Sequence, residues 1–247
     1  MEKHFEFTGE TRINAFGVKL FQIRCTVAFG DVKVGDIGGW IEHRDNLSGN
    51  AWVSDNAKVY GDAKVYGNAK VYGDAEVNGN AKVYGDAEVY GDAEVSGNAK
   101  VYDNAKVYGD AEVYGNAWVN GDAEVYGNAK VYGDADVNGN AKVYGDAEVY
   151  GNAWVNGDAE VNGNAKVYGD AEVNGNADYC CFQGFGSAFR TTTVFRTGDK
   201  ELRIQCGCFF GTLDEFVAKV EQTHGDNQHG KVYKAIIEVI KLRFARK

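Results

Sequence analysis

Side chains able to hold a metal or move a proton are few in this chain and lie away from its centre. The four histidines are His4, His43, His224 and His229, so no imidazole stands between residues 44 and 223. The five cysteines are Cys25, Cys180, Cys181, Cys206 and Cys208. Cys206-x-Cys208 with Cys180, Cys181, His224 and His229 offers ligand types that suit zinc. The spacing matches no zinc finger, and adjacent Cys180 and Cys181 on a strand point to opposite sides. The expectation is of no metal, no cofactor and no disulfide framework, with the thiols buried. Arg190, Arg196, Lys200 and Arg203 lie on a predicted hairpin and could hold a phosphate or a nucleotide through charge-assisted bonds. The plainer reading of the same four is a solvated hairpin face. The aspartates and asparagines of the centre do not follow the nine-residue calcium repeat.

The centre is itself a repeat, and it must position whatever chemistry the chain has. From Ala51 to Ala177 an alanine recurs every six residues, 22 times, and a valine follows two residues later from Val53 to Val173, 21 times. Before each Ala stands Asp or Asn, and before that Gly, except at Asp55 and Asp103. In an extended segment Ala and Val fall on one side and the two variable residues on the other. Gly accepts left-handed backbone angles and Asp or Asn bonds its neighbouring backbone, so the pair turns the chain. Strands this short cannot stand alone and must stack on copies of themselves. A helix is excluded, because a Gly in every unit costs about 1 kcal/mol each time and a six-residue period makes no helical stripe.

Three units per coil place residues 18 apart directly above one another. One outward column then reads Tyr72, Tyr90, Tyr108, Tyr126, Tyr144, beside a column of alternating charge from Lys70 and Glu88 to Glu160. A second face carries Tyr66, Tyr84 and Tyr102, then Asn120, Asn138, Asn156 and Asn174, an expected in-register amide ladder. Stacked Lys64, Lys82 and Lys100 are the weak spot of this scheme. Seven coils predict a shaft of roughly 35 Å.

The 247 residues include 33 Gly, 15 Tyr, one Met and no Pro, and the formal charge is −10. Residues 51–178 carry 9 basic and 22 acidic side chains, and residues 179–247 carry 11 and 7. An acidic shaft draws neither nucleic acid nor an anionic membrane by its general field. No apolar run is long enough for a bilayer and no leader pattern opens the chain, which reads as cytoplasmic. Three parts follow: an N-terminal β cap over 1–50, the shaft over 51–178, and a small α+β domain over 179–247. Trp40 and Ile41 are expected to plug the lower end. Strands are predicted at Tyr179–Phe182, Arg190–Thr197 and Glu201–Cys206. Thr212-Leu213-Asp214-Glu215 reads as a capping box opening a helix to about His224, and a second helix runs from Lys231 to about Phe244.

The Ala-x-Val-x-Gly-Asp/Asn unit resembles the hexapeptide-repeat superfamily, which implies an all-β solenoid, a left-handed parallel β-helix with three hexapeptides per coil. The stretch Val27 to Ile41, continued by Asp45-Asn46-Leu47-Ser48, is similar to the entry segment of an uncharacterised bacterial family labelled at most as candidate transferases. The segment around Gly207-Cys208-Phe209 and Gly211 to Phe216 resembles a tail found on bacterial and phage proteins. Many hexapeptide-repeat proteins are trimeric acyltransferases, which implies a His base on a coil or protruding loop. This shaft has neither, and a base must stand within reach of its proton. Three functions are therefore expected in order. The first is a non-catalytic rod whose Tyr and Asn columns serve oligomerisation or a protein partner. The second is a protein that binds a small anionic ligand in its basic tail or between protomers. The third is an acyltransferase.

Overall fold

The computed structural model describes residues 3–245, so the expected head and tail each run two residues past the described range. The chain forms a parallel β-solenoid closed at both ends. Twenty-one short strands, β4 (Trp52–Val53) to β24 (Glu172–Val173), follow one another around three faces. Every third strand pairs in parallel, so Val89 partners Val107 and Val107 partners Val125. The three sheets hold seven, seven and ten strands. Position n rests on position n+18, as the outward columns predicted.

The coil closes because each position meets one need. Ala51 to Ala171 and Val53 to Val173 are all at most 1% exposed and form one continuous core. Each unit also donates backbone bonds to the coil above. Trp52 N reaches Ala69 O at 3.0 Å, Ser54 N reaches Val71 O at 3.0 Å, and Asn56 N reaches Gly73 O at 2.9 Å. The polar backbone is thereby satisfied although the strands are short. At the corners Gly109 has φ 71°, and a Cβ added there would meet the backbone nitrogen of Gly127 at 3.0 Å. Asp55 and Asp103 hold the same left-handed angles, φ 56° and 60°. Their carboxylates accept from Gly73 N at 3.1 Å and Gly121 N at 3.4 Å, which offsets the strain.

The lower lid is an antiparallel hairpin, β1 (Phe5–Ile13) with β2 (Lys19–Cys25), joined to β3 (Ile37–Ile41). β3 turns parallel and pairs with the shaft, Ile41 against Val59. Leu47 bridges to Val65. Coiling thus begins before the first Ala, with Ile41 and Leu47 at the Val position and fully buried. Trp40 differs from expectation. It faces outward in register with Lys58, under the Arg12 guanidinium at 4.3 Å, and Ile41 plugs the core together with Phe5, Ile23 and Leu47. β1 leaves one edge unpaired, and an irregularity between Phe7 and Thr11, with Gly9 at φ 101°, blunts it against further pairing.

The upper lid is a four-stranded antiparallel sheet, β25 (Tyr179–Phe185), β26 (Arg190–Arg196), β27 (Leu202–Cys206) and β28 (Phe209–Gly211). Tyr179 takes the Val position of the next unit and is buried. β26 serves two cores by alternation: Phe195 closes the shaft, while Val194 joins Ile204, Phe216, Ile236 and Ile240. Helix α1 (Leu213–His224) has the expected capping box between Thr212 and Glu215. Helix α2 (Gln228–Phe244) begins three residues before the predicted start, because Asn227 caps it by accepting from Gly230 N at 2.9 Å. Among the described residues no helix is long and apolar enough to cross a membrane.

Candidate functional site

The seven-stranded sheet from β4 to β22 places Tyr72, Tyr90, Tyr108, Tyr126 and Tyr144 in one stack. Neighbouring ring centroids are 4.8–4.9 Å apart and the planes agree within 3°. In-register pairing of Tyr90 with Tyr108 and of Tyr108 with Tyr126 sets that spacing. The hydroxyls are fixed as well. Tyr72 donates to Glu88 at 3.2 Å, Tyr108 to Glu124 at 2.8 Å and Tyr144 to Glu160 at 3.3 Å. Burial first, then the adjacent carboxylate, pushes the Tyr72 and Tyr108 hydroxyls above the ordinary tyrosine range. The alternating charges beside this stack are in register, Lys106 against Glu124. Among the described residues they close no ion pair, because the glutamates turn to the tyrosines. Ion pairs form instead on the ten-stranded face, Lys130 with Glu112 at 2.8 Å and Lys166 with Glu148 at 2.6 Å. At the foot of the tyrosine face a groove of about 420 Å³ lies between the Phe29–Val32 loop, Trp52 and Tyr72, rimmed by Asp31, Asp86 and Glu88.

The other seven-stranded face, β6 to β24, stacks Tyr66, Tyr84 and Tyr102 at 4.8–4.9 Å. Asn120, Asn138, Asn156 and Asn174 continue that column, but the expected amide ladder is absent from it. Asn120 and Asn138 both donate to Asp136 at 3.1 Å, and Asn174 donates to Glu172 at 3.1 Å. A carboxylate in the neighbouring column is the stronger acceptor and captures the amide. The ladder forms at the corners, where each Asn meets the Asn or Asp of the next coil. Asn80 donates to Asn98 at 3.2 Å, Asn98 to Asn116 at 3.0 Å, and Asn116 to Asp134 at 2.9 Å. Lys64, Lys82 and Lys100 are stacked in register. Lys100 Nζ lies 4.2 Å from the Trp118 ring centre. Trp118 and Trp154 are 40% and 47% exposed.

In the upper unit the four basic candidates do not converge. Arg196 binds Asp178 at 3.4 Å and donates to Phe244 O at 3.3 Å. Lys200 binds Glu172 at 3.2 Å, and Arg203 binds Glu201 at 2.7 Å. These three fasten the lid or its hairpin. Arg190 has no carboxylate partner among the described residues and lines a separate cavity of about 230 Å³ with Lys219, His224, Cys206, Phe216 and Tyr233. Arg190 and Arg196 stand at opposite ends of β26, roughly 20 Å of extended strand apart, which keeps them from one site. Lys219 and His224 lie on α1, and only the folded chain brings them to Arg190. Tyr233 is pushed up to about 12, first by burial and then by its bond with Cys206 at 3.7 Å. Burial likewise pushes the Cys180 thiol up to about 11. All five thiols are free, Cys25 and Cys206 buried and Cys208 exposed. Among the described residues no three His, Cys, Asp or Glu side chains gather as a metal site. No family model matches the chain, and no curated protein matches it.

Proposed function

We propose that this chain is a non-catalytic interaction rod whose flat outward faces bind a protein surface. The observation that carries this reading is the in-register column Tyr72 to Tyr144, its rings parallel and three hydroxyls anchored to glutamates. Side chains held this way lose little freedom on binding, and tyrosine is favoured at interfaces. No loop interrupts the shaft to build an enclosed site on it. The five free thiols suit the reducing interior of a cell.

A second reading has its own support. The cavity lined by Arg190, Lys219 and His224 joins two cationic side chains, Arg190 and Lys219, that meet no carboxylate among the described residues, to an apolar wall of Phe216, which suits a small anion with an apolar body. Light scattering on the full chain over a wide concentration range separates the two. The rod reading expects assembly, with itself or a partner, that is weakened by Tyr90→Lys with Tyr126→Lys or by Trp118→Lys and is indifferent to Arg190→Ala. A lone monomer that binds no protein, yet melts higher with inorganic phosphate or nucleotides, overturns it in favour of the second.

A further inference from the structure

The face from β6 to β24 is complementary to itself under one operation. We propose that two copies of this chain pack antiparallel through it, about a two-fold axis passing at Trp118 and Asn120. The inference rests on the interaction-rod reading and names its partner as a second copy.

A two-fold axis lying along the strand direction between two facing sheets keeps each column opposite itself and reverses the order of coils. The fourth coil then meets itself, the third meets the fifth, the second the sixth, and the first the seventh. Seven coils in register make this assignment definite. Trp118 meets the Trp118 of the second copy at the centre. Lys100 meets Asp136, and Lys64 meets Glu172. Lys82 meets Trp154, a cation over an exposed indole. In the companion column Tyr66, Tyr84 and Tyr102 meet Asn174, Asn156 and Asn138, each a hydroxyl against an amide, and Asn120 meets Asn120, an amide pair. No position opposes a like charge.

The same operation fails elsewhere. On the tyrosine face it sets Lys106 on Lys106 and Glu88 on Glu124. On the ten-stranded face it sets Lys58 on Lys166 and Glu76 on Glu148. The tyrosine face does match itself at odd shifts, but strict alternation is satisfied by several registers and selects none. The column from Lys64 to Glu172 is aperiodic, so one register is favoured.

Two features of the single chain fit this partner. Lys64, Lys82 and Lys100 are stacked like charges with no carboxylate in ion-pair reach among the described residues. The second copy supplies Asp136 and Glu172 to them, although Glu172 already meets Lys200 at 3.2 Å and would be shared. Trp118 and Trp154 are the most exposed aromatic rings of the shaft. An isologous interface with aromatic rings near its centre is the common form of a homodimer.

The test is sedimentation or light scattering of the full chain and three variants. The unaltered chain is expected to be a dimer. Lys100→Asp alone and Asp136→Lys alone each oppose like charges across the axis and are expected to weaken dimerisation roughly tenfold or more. The double variant Lys100→Asp, Asp136→Lys is expected to restore it. Within one chain these positions are two coils apart with Trp118 between them, so restoration reads contact between copies. In a Cys208→Ser background, Asn120→Cys is expected to give a disulfide-linked dimer on oxidation, and Tyr90→Cys is not. A dimer indifferent to both single charge changes overturns the two-fold and leaves the rod reading standing. A monomer that binds another protein through its tyrosine face does the same. A monomer with no partner overturns both.

Discussion

Tyr108 stands directly over Tyr90, ring centroids 4.8 Å apart and planes within 1°. That distance is the rise of one coil, so the backbone ladder dictates the ring spacing. The rings gain a neighbour on each side without any choice of rotamer beyond the first. The result is an outer surface as regular in its spacing as the ladder beneath it.

Alkali should dissolve this surface and the fold together. Burial, then neighbouring carboxylates, raise the Tyr72 and Tyr108 hydroxyls, and burial raises Tyr168 to about 12. The folded chain therefore keeps protons that the unfolded chain releases near pH 10. Their contribution is complete below about pH 10 and is lost as the pH rises toward and beyond 12. Tyrosinate absorbance and far-ultraviolet circular dichroism should change in one shared transition. Tyrosinate forming well before any loss of structure would contradict this.

The middle of the shaft should feel a small cavity strongly. Val107 is fully buried between Val89 and Val125. Val107→Ala should cost about 2–3 kcal/mol, two methyl groups plus the void they leave. Urea titration of the variant measures it, and a loss under about 1 kcal/mol would mean that the coil collapses to refill the space.

Corner positions should discriminate by chemistry rather than size. Gly109→Ala places a Cβ in the left-handed region against the Gly127 backbone, and about 1–2 kcal/mol of destabilisation is expected. Asp103→Gly removes strain and one long bond to Gly121 together, so a change within about 1 kcal/mol is expected. Asp103→Ala keeps the strain and loses the bond, and should be the worse of the two. Thermal melts of the three variants rank them.

Opening the upper end should change solubility as well as stability. Phe195 is fully buried against the last coil. Phe195→Ala is expected to cost about 3–5 kcal/mol and to uncover unpaired strand edges. Concentration-dependent association beyond that of the parent, seen by light scattering, checks the second effect.

The shaft was legible because each of its needs recurs at one spacing. Ala and Val gave the interior, Gly-Asp/Asn gave the corner, and tyrosines 18 residues apart gave the number of sides. Competition between neighbours was not legible. Asn120 and Asn138 were expected to bond each other, yet Asp136 lies in the adjacent column and attracts both. Trp40 was expected inside, but alternation put Ile41 there and Trp40 under Arg12. In the upper unit β25, β26, β27 and the first helix were readable from local pattern, and β28 and the division of the basic residues were not. Arg196 and Lys200 are committed to Asp178 and Glu172, residues distant in sequence until the lid docks, which leaves Arg190 to its cavity.

Absence of insertions between Ala51 and Ala171 makes length a quantity independent of architecture. Duplicating or excising one 18-residue stretch moves the two lids apart or together by a single step while preserving every corner. Losing one residue instead would turn each later valine toward water. Such a gene can lengthen or shorten its product in whole increments, and selection can act on reach alone.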